Sequence, residues 1–230
     1  MDELTHSPST QQSIKQARSI DDLLELLDSC SNIRELAQMM RENIQALQSA
    51  LRRRGGAEYS GIQNDVASYI SCRKKMNKCI KRSLKALKNS ENEMINASMN
   101  LVHEESFINR VLREVYGLTI AIFKRALLFF STSPAAVKSG GWNLVSRLML
   151  SKAVDHSVVS EVGCVDFAVS NLQGRVKNGD SKIDVDHKQM LQRSLQNLDS
   201  CVEGIEEGLG RMYRRLLQTR VDLLNIVTNH

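Results

Sequence analysis

The apolar residues in the last part of the chain follow a strict helical seam. Positions repeating every seven residues are Leu195, Val202, Leu209, Leu216 and Leu223. A neighbouring set with the same repeat is Leu191, Leu198, Ile205, Met212, Thr219 and Ile226. Alternating steps of three and four residues are typical of a coiled coil or a long bundle helix. The pattern predicts a helix from Asp186 to Val227, about 60 Å long at ~1.5 Å per residue. Its seam can pair within the chain or between chains, so the oligomeric state stays open.

Helical spacing also runs through the earlier part of the chain. A first stripe contains Ile20, Leu23, Leu27, Cys30, Ile33, Ala37, Met40, Ile44, Leu47 and Leu51. Two successive three-residue steps around Cys30 predict a kink or break beside Ser31 and Asn32. Further helices are predicted at about 59–88, 91–130, 142–152 and 157–176. The second half of 91–130 is apolar on most sides, and we expect it in the middle of a bundle.

Turn residues divide these helices. Gly55-Gly56, Pro134 with Gly140-Gly141, and Asn178-Gly179 predict loops near 54–58, 131–141 and 177–184. The polar segment 1–12 is predicted to be flexible, and 13–230 to be a single helical-bundle domain. Only two prolines and 4% aromatic residues occur in 230 residues, which favours helices over strands. The predicted class is all-α: an elongated helical bundle with long antiparallel helices and a coiled-coil-like C-terminal helix.

Composition indicates a reducing, aqueous compartment. The five cysteines include no CxxC pair, which argues against a disulfide framework and a zinc site. No secretory leader is recognisable, because the stretch Ile20–Leu27 carries three acids. The most apolar stretch, 118–130, is too short to span a bilayer and contains Lys124 and Arg125. We expect an intracellular, cytoplasmic protein that is neither secreted nor membrane-spanning. A peripheral position at the membrane and a nuclear location are the two alternatives.

Positive charge is concentrated between Arg52 and Lys88. This stretch holds eleven Lys and Arg residues against two acids, a local charge of +9 in a chain whose net charge is +5. Lys74, Lys78, Lys81, Lys85 and Lys88 step by four, three, four and three, so they share one helix face opposite Met76 and Ile80. Like charges at these spacings repel by a few tenths of a kcal/mol per pair, which an outside anion would relieve.

The sequence therefore predicts a candidate contact surface for an anionic partner or membrane. Its members are Arg52, Arg53, Arg54, Arg73, Lys74, Lys78, Lys81, Arg82, Lys85 and Lys88. Three interpretations stay open. The face can be solvated, or neutralised internally by acids such as Glu203, Glu206 and Glu207. It can bind an acidic protein or anionic lipid headgroups. Nucleic acid is less favoured, because single-strand binders interleave aromatic rings with cations and the face 73–88 has none.

Two smaller features allow either a structural or a functional interpretation. Cys201, Gly204, Gly208 and Arg211 lie on one side of the last helix, where the glycines indicate either close packing of another helix or a docking notch for a partner. Cys72 and Cys79 lie beside cations that could lower a thiol pKa, although free cysteines are more often small packing residues.

Recognisable catalytic and cofactor-binding motifs are missing. The sequence contains no GxSxG, GxxxxGK[ST] or GxGxxG, and no histidine follows His103-Glu104-Glu105 at zinc-protease spacing. Glu-x-x-His occurs once, at Glu3–His6, whereas a di-iron bundle needs one from each of two helices. We therefore expect no catalytic residues, no metal ligands and no cofactor, and hold an enzyme of unrecognised type as a remote alternative.

With these residues laid out, the chain resembles the plant-specific family called domain of unknown function 241, itself similar to the BYPASS-like helical proteins. The resemblance spans nearly the full length. Its segments are HSPSTQQSI (6–14), LLDSC (26–30), LQSALRRRGG (47–56), YISCRKKMNKCIKRSLKALK (69–88), LREV (112–115), WNLVSRLM (142–149) and LQNLDSCVEGIEEGLGRMYRRLLQTRVDLLNIV (195–227).

The resemblance implies a helical, non-enzymatic protein with no agreed biochemical activity and no catalytic residues to carry over. It also implies association with growth, root and shoot development, stress responses and exocyst-related partners. The leading hypothesis is a protein-protein interaction or scaffold module whose basic surface adds contact with an acidic partner or an anionic membrane. The alternative is a nucleic-acid-associated regulator that uses the face 73–88.

Overall fold

A computed structural model describes residues 8–53, 62–99, 107–131, 160–177 and 185–228. Within them lie five helices: α1 (Pro8–Arg53), α2 (Gln63–Met99), α3 (Phe107–Phe130), α4 (Glu161–Lys177) and α5 (Val185–Thr228). The described residues contain no strand, which confirms the predicted all-α class. The predicted loops fall largely outside the described ranges, as does the predicted helix 142–152. The helix α1 begins at Pro8, within the predicted N-terminal segment 1–12, and the single domain 13–230 stays a prediction.

The predicted break near Ser31 is wrong, because α1 is one continuous helix of 46 residues. Cys30 and Ile33 are both fully buried, and Leu26 and Leu36 widen the same stripe. A core-facing helix carries an apolar stripe about 100° wide or more, so two successive three-residue steps stay within it. The irregular spacing therefore reflects the width of the stripe.

The boundary predicted between Lys88 and Glu91 is also wrong, because α2 continues without interruption to Met99. The Ser90 hydroxyl donates to the Ala86 carbonyl oxygen at 3.2 Å. Bonding back to the preceding turn lets a serine stay inside a helix instead of capping a new one. The next helix begins only at Phe107.

The described contacts form two units, each taken by itself. The first contains Met1–Leu36, Lys81–Leu127 and Ile205–His230. In it α2 and α3 run antiparallel, since Glu91 pairs with Lys124 whereas Met94, further along α2, lies near Gly117. The Cys30 thiol of α1 donates to the Leu209 carbonyl oxygen of α5 at 3.5 Å. The α5 helix thus packs on α1 in this unit.

The second unit contains Ala37–Ile80 and Leu128–Gly204. Its core draws on all five helices and includes Met40, Ile44, Leu47, Met76, Ile80, Phe130, Val162, Val165, Leu191, Leu195 and Leu198. Arg41 of α1 donates to Glu203 of α5 at 3.1 Å at the edge of this core.

The helices α3 and α5 differ in how their apolar residues are covered. The predicted seam of α5 is buried at Leu191, Leu195, Leu198, Val202, Leu209 and Leu216. The expectation that α3 sits in the middle of the bundle is wrong. One side of α3 is buried through Ile120 and Phe123, whereas Leu118 and Ile122 are 65% and 50% exposed. A helix can therefore be apolar on two sides although its own chain buries only one of them.

Candidate anion-binding surface

The α2 helix separates apolar and cationic residues onto two sides. Its buried side contains Ile62, Val66, Tyr69, Met76, Ile80 and Leu87. The other side exposes Lys74, Lys78, Lys81, Arg82, Lys85 and Lys88, which we call the α2 basic face. Because the apolar side of the helix is packed in the core, the cations on the opposite side face solvent at helical spacing. The helix thus brings together six of the ten predicted contact residues.

Acidic side chains do not neutralise the lysines of this face within the described residues. No ion pair is formed there by Lys74, Lys78, Lys81, Lys85 or Lys88. Two of the three acids proposed as internal partners lie elsewhere. Glu203 pairs with Arg41, and Glu207 pairs with Arg211 at 3.5 Å. The prediction that Glu203 or Glu207 neutralises these lysines is therefore wrong.

The remaining four predicted members are not counted in the α2 basic face. Arg52 and Arg53 are exposed in the last turn of α1, and Arg54 lies outside the described residues. Arg73 is only 5% exposed, so its inclusion in an exposed contact surface is wrong. It lies four residues after Tyr69 and three before Met76, in register with the buried stripe of α2.

Arg73 is the centre of a buried polar cluster in the second unit. Its Nε and Nη2 each lie 3.0 Å from a carboxylate oxygen of Asp166 on α4. Its Nη1 donates to the Phe130 carbonyl oxygen at the end of α3, also at 3.0 Å. The Tyr69 hydroxyl donates to Asp166 Oδ1 at 2.9 Å. Burial and, next, the Asp166 carboxylate raise the pKa of Tyr69 well above its usual range. The cluster joins three helices, and the charge of its buried guanidinium is already paired with Asp166.

The cysteines of α2 behave as packing residues. Cys72 is half-buried and accepts a hydrogen bond from the Asn43 amide at 2.9 Å. Burial raises the pKa of the Cys72 thiol and outweighs the Asn43 hydrogen bond and the nearby cations, which lower it. The expectation that those cations could make Cys72 a low-pKa thiol is therefore wrong. Cys79 is half-buried as well.

The glycines of α5 mark open space. A Cβ atom added at Gly204 or Gly208 would meet no atom within 4 Å. Close packing of another helix against these positions, the more conservative of the two interpretations, is therefore wrong. Cys201 is half-buried and Arg211 is exposed, so the predicted notch has a solvent-facing side. Its role as a docking site stays a prediction.

Across the described part of the chain, no three His, Cys, Asp or Glu side chains are grouped so that they could hold a metal ion. None of the described helices has the length and apolar character needed to cross a bilayer.

Comparison with known families decides the affiliation of the chain. The family model described as Protein BPS1 matches residues 1–226. The chain belongs to the Protein BPS1 family. The match confirms the resemblance to the BYPASS-like plant proteins. No curated protein and no solved structure matches the chain.

Membership in the Protein BPS1 family suggests a plant developmental regulator of unknown biochemical activity. It is not a known enzyme family. The model match covers the α2 basic face and the buried Arg73 cluster alike.

Proposed function

We propose that this protein is a non-enzymatic interaction module in plant development, and that its α2 basic face binds an acidic segment of another protein. The observation that carries the proposal is the row of exposed lysines on α2 without an ion-pair partner in the described residues. Five lysines within fifteen residues repel one another, so a folded chain keeps them at a cost in stability. An acidic partner converts that repulsion into attraction and speeds encounter.

The chemistry of the face favours a protein over a nucleic acid. Base stacking needs exposed aromatic rings beside the cations. The aromatic residue nearest in sequence, Tyr69, is 2% exposed and bonds to Asp166. The lysines alone offer point charges, which suit carboxylate-rich segments and do not distinguish bases.

The test compares two variants of equal net charge. The first replaces Lys74, Lys78, Lys81 and Lys85 by Gln. The control replaces four exposed arginines away from the α2 basic face, Arg110, Arg193, Arg214 and Arg215, by Gln. Each is mixed with a polyglutamate peptide, with single-stranded oligouridine, and with vesicles of phosphatidylcholine containing phosphatidylserine. Binding is measured at low and at physiological salt, because exposed charges are screened over about 8 Å at 0.15 M.

We expect the native chain and the arginine control to bind polyglutamate, and the lysine variant to lose most of that affinity at unchanged thermal stability. A pull-down from plant extract then shows which proteins vanish with the lysine variant alone. Equal loss in both variants would make net charge, and not the α2 basic face, responsible. Preferential binding of oligouridine or of anionic vesicles would assign the face to a nucleic acid or to a membrane and overturn the proposal.

A further inference from the structure

The α3 helix exposes a second apolar seam that the described residues of its own unit leave uncovered. Val111, Val115, Leu118 and Ile122 follow one another in steps of four, three and four residues, and they are 39%, 48%, 65% and 50% exposed. The core-facing side of α3 is formed by other residues, among them Ile120 and Phe123, both fully buried. A contiguous exposed apolar patch of this kind on a folded chain marks an interaction site.

The residue types of the seam suit a helix as its occupant. Steps of three and four are the spacing of knobs-into-holes packing, in which a straight row of side chains inserts between those of a facing helix. Val115 and Ile122 are β-branched and seven residues apart, and Leu118 lies between them. Val, Ile and Leu at this spacing are the residue types that occupy the core positions of coiled coils.

Two exposed charges beside the seam specify the facing helix further. Glu114 and Arg125 border the seam, and neither forms an ion pair with a described residue. In an antiparallel pair of α3 helices, the register that sets Leu118 against Ile122 of a second copy also sets Glu114 beside Arg125 of that copy. Two-fold symmetry produces each contact twice. A parallel pair would instead place Arg125 against Arg125.

From this self-complementarity we propose that a second copy of this chain covers the α3 seam, through antiparallel pairing of the two α3 helices. The dimer is isologous: the same four apolar residues and the same two charges contribute from each copy. The seam and its charges lie on α3 and include no residue of the α2 basic face, so the proposal is independent of that face.

The first experiment measures the mass of the full chain in solution by sedimentation equilibrium, from low to high micromolar concentration. We expect a dimer whose dissociation constant rises by at least about a hundredfold in the double variant Leu118→Glu/Ile122→Glu, because two buried apolar layers are lost. The matched control is Leu217→Glu/Val221→Glu on α5, where the two side chains are 42% and 43% exposed. We expect it to dimerise as the native chain does. Circular dichroism confirms that all variants keep their helix content.

The second experiment tests the orientation by charge reversal. Glu114→Arg and Arg125→Glu should each raise the dissociation constant by about tenfold, because each places like charges together at two symmetric positions. The double variant Glu114→Arg/Arg125→Glu restores opposite charges and should recover native affinity. A native chain that is monomeric over the whole concentration range overturns the proposal. So does a dimer that the Leu118 and Ile122 replacements leave intact, or one that the two single reversals leave intact.

Discussion

Replacing Asp166 by Asn should strongly destabilise the protein, because it removes the carboxylate that pairs with the buried Arg73 guanidinium. The Arg73 side chain is 6% exposed and that of Asp166 is 15% exposed, so neither charge is well solvated when its partner is lost. Removing one partner of a buried ion pair costs about 3–5 kcal/mol. Because Asp166 retains some access to solvent, we expect the lower end, about 3 kcal/mol.

The converse replacement, Arg73→Met, should cost less. It leaves the Asp166 carboxylate with the Tyr69 hydroxyl and partial contact with water, whereas Asp166→Asn leaves the buried guanidinium facing neutral acceptors such as the Phe130 carbonyl oxygen and the oxygen of the new amide. The double replacement should cost less than the sum of the two single ones, with a coupling energy of about 1–3 kcal/mol. This non-additivity separates a true ion pair from two independent packing defects.

The assay is urea unfolding followed by circular dichroism at neutral pH. For a urea slope of about 2–3 kcal/mol per molar, a loss of about 3 kcal/mol lowers the midpoint by about 1 M. The exposed pair Glu207–Arg211 supplies the control, since its side chains are 65% and 64% exposed. Glu207→Gln should change stability by less than about 1 kcal/mol. A loss below 1 kcal/mol for Asp166→Asn, or additive single effects, would refute the assigned energetics.

Two further predictions concern α5 and its contact with α1. Gly204→Ala and Gly208→Ala should each stabilise the protein by up to about 1 kcal/mol in the same assay, since Ala is the better helix former and the added Cβ meets no atom within 4 Å; a destabilised variant would mean that something does pack there. Burial raises the pKa of the Cys30 thiol to about 11 from an ordinary value of 9.0. The unfolded chain therefore loses this proton first, and stability should fall by up to about 3 kcal/mol as pH rises from about 9 to about 11. Cys30→Ser, which does not ionise there, should show a smaller fall, and an equal fall in both proteins would contradict the assignment.

Local periodicity was sufficient to predict α5 but not the buried ion pair. The seam of α5 could be recognised because its steps of three and four persist from Leu191 to Ile226 without interruption. The buried stripe of α2 carries the same signal, with one apparent gap between Tyr69 and Met76, and Arg73 fills that gap. Because arginine is usually exposed, the sequence alone placed Arg73 on the exposed surface. Its partner Asp166 is 93 positions away and carries no periodic signal of its own, so only the folded chain identifies the pair.

The α3 helix shows a different limit of sequence patterns. Val115 and Leu118 on one side are as apolar as Ile120 and Phe123 on the other. Periodicity identifies apolar sides, but it does not say whether the same chain covers both of them. The glycines of α5 pose the same difficulty, because an absent side chain suits both a close neighbour and open solvent. The exposure of Lys74, Lys78, Lys81, Lys85 and Lys88 agrees with the sequence pattern, since their spacing and the opposing apolar stripe both follow from one helical period. The binding role of these residues stays a prediction.

The contact between Cys30 and Leu209 has a consequence for how the chain is made. These residues are 179 positions apart, and Arg41 and Glu203 are 162 apart. A ribosome adding about 5–20 residues per second needs roughly 10–40 seconds to travel from Cys30 to Leu209. Throughout that interval the apolar stripe of the newly made α1 has no α5 to pack against. Nascent chains of this protein should therefore depend on chaperones that hold exposed apolar helices, and translation stalled before α5 should yield an aggregation-prone product.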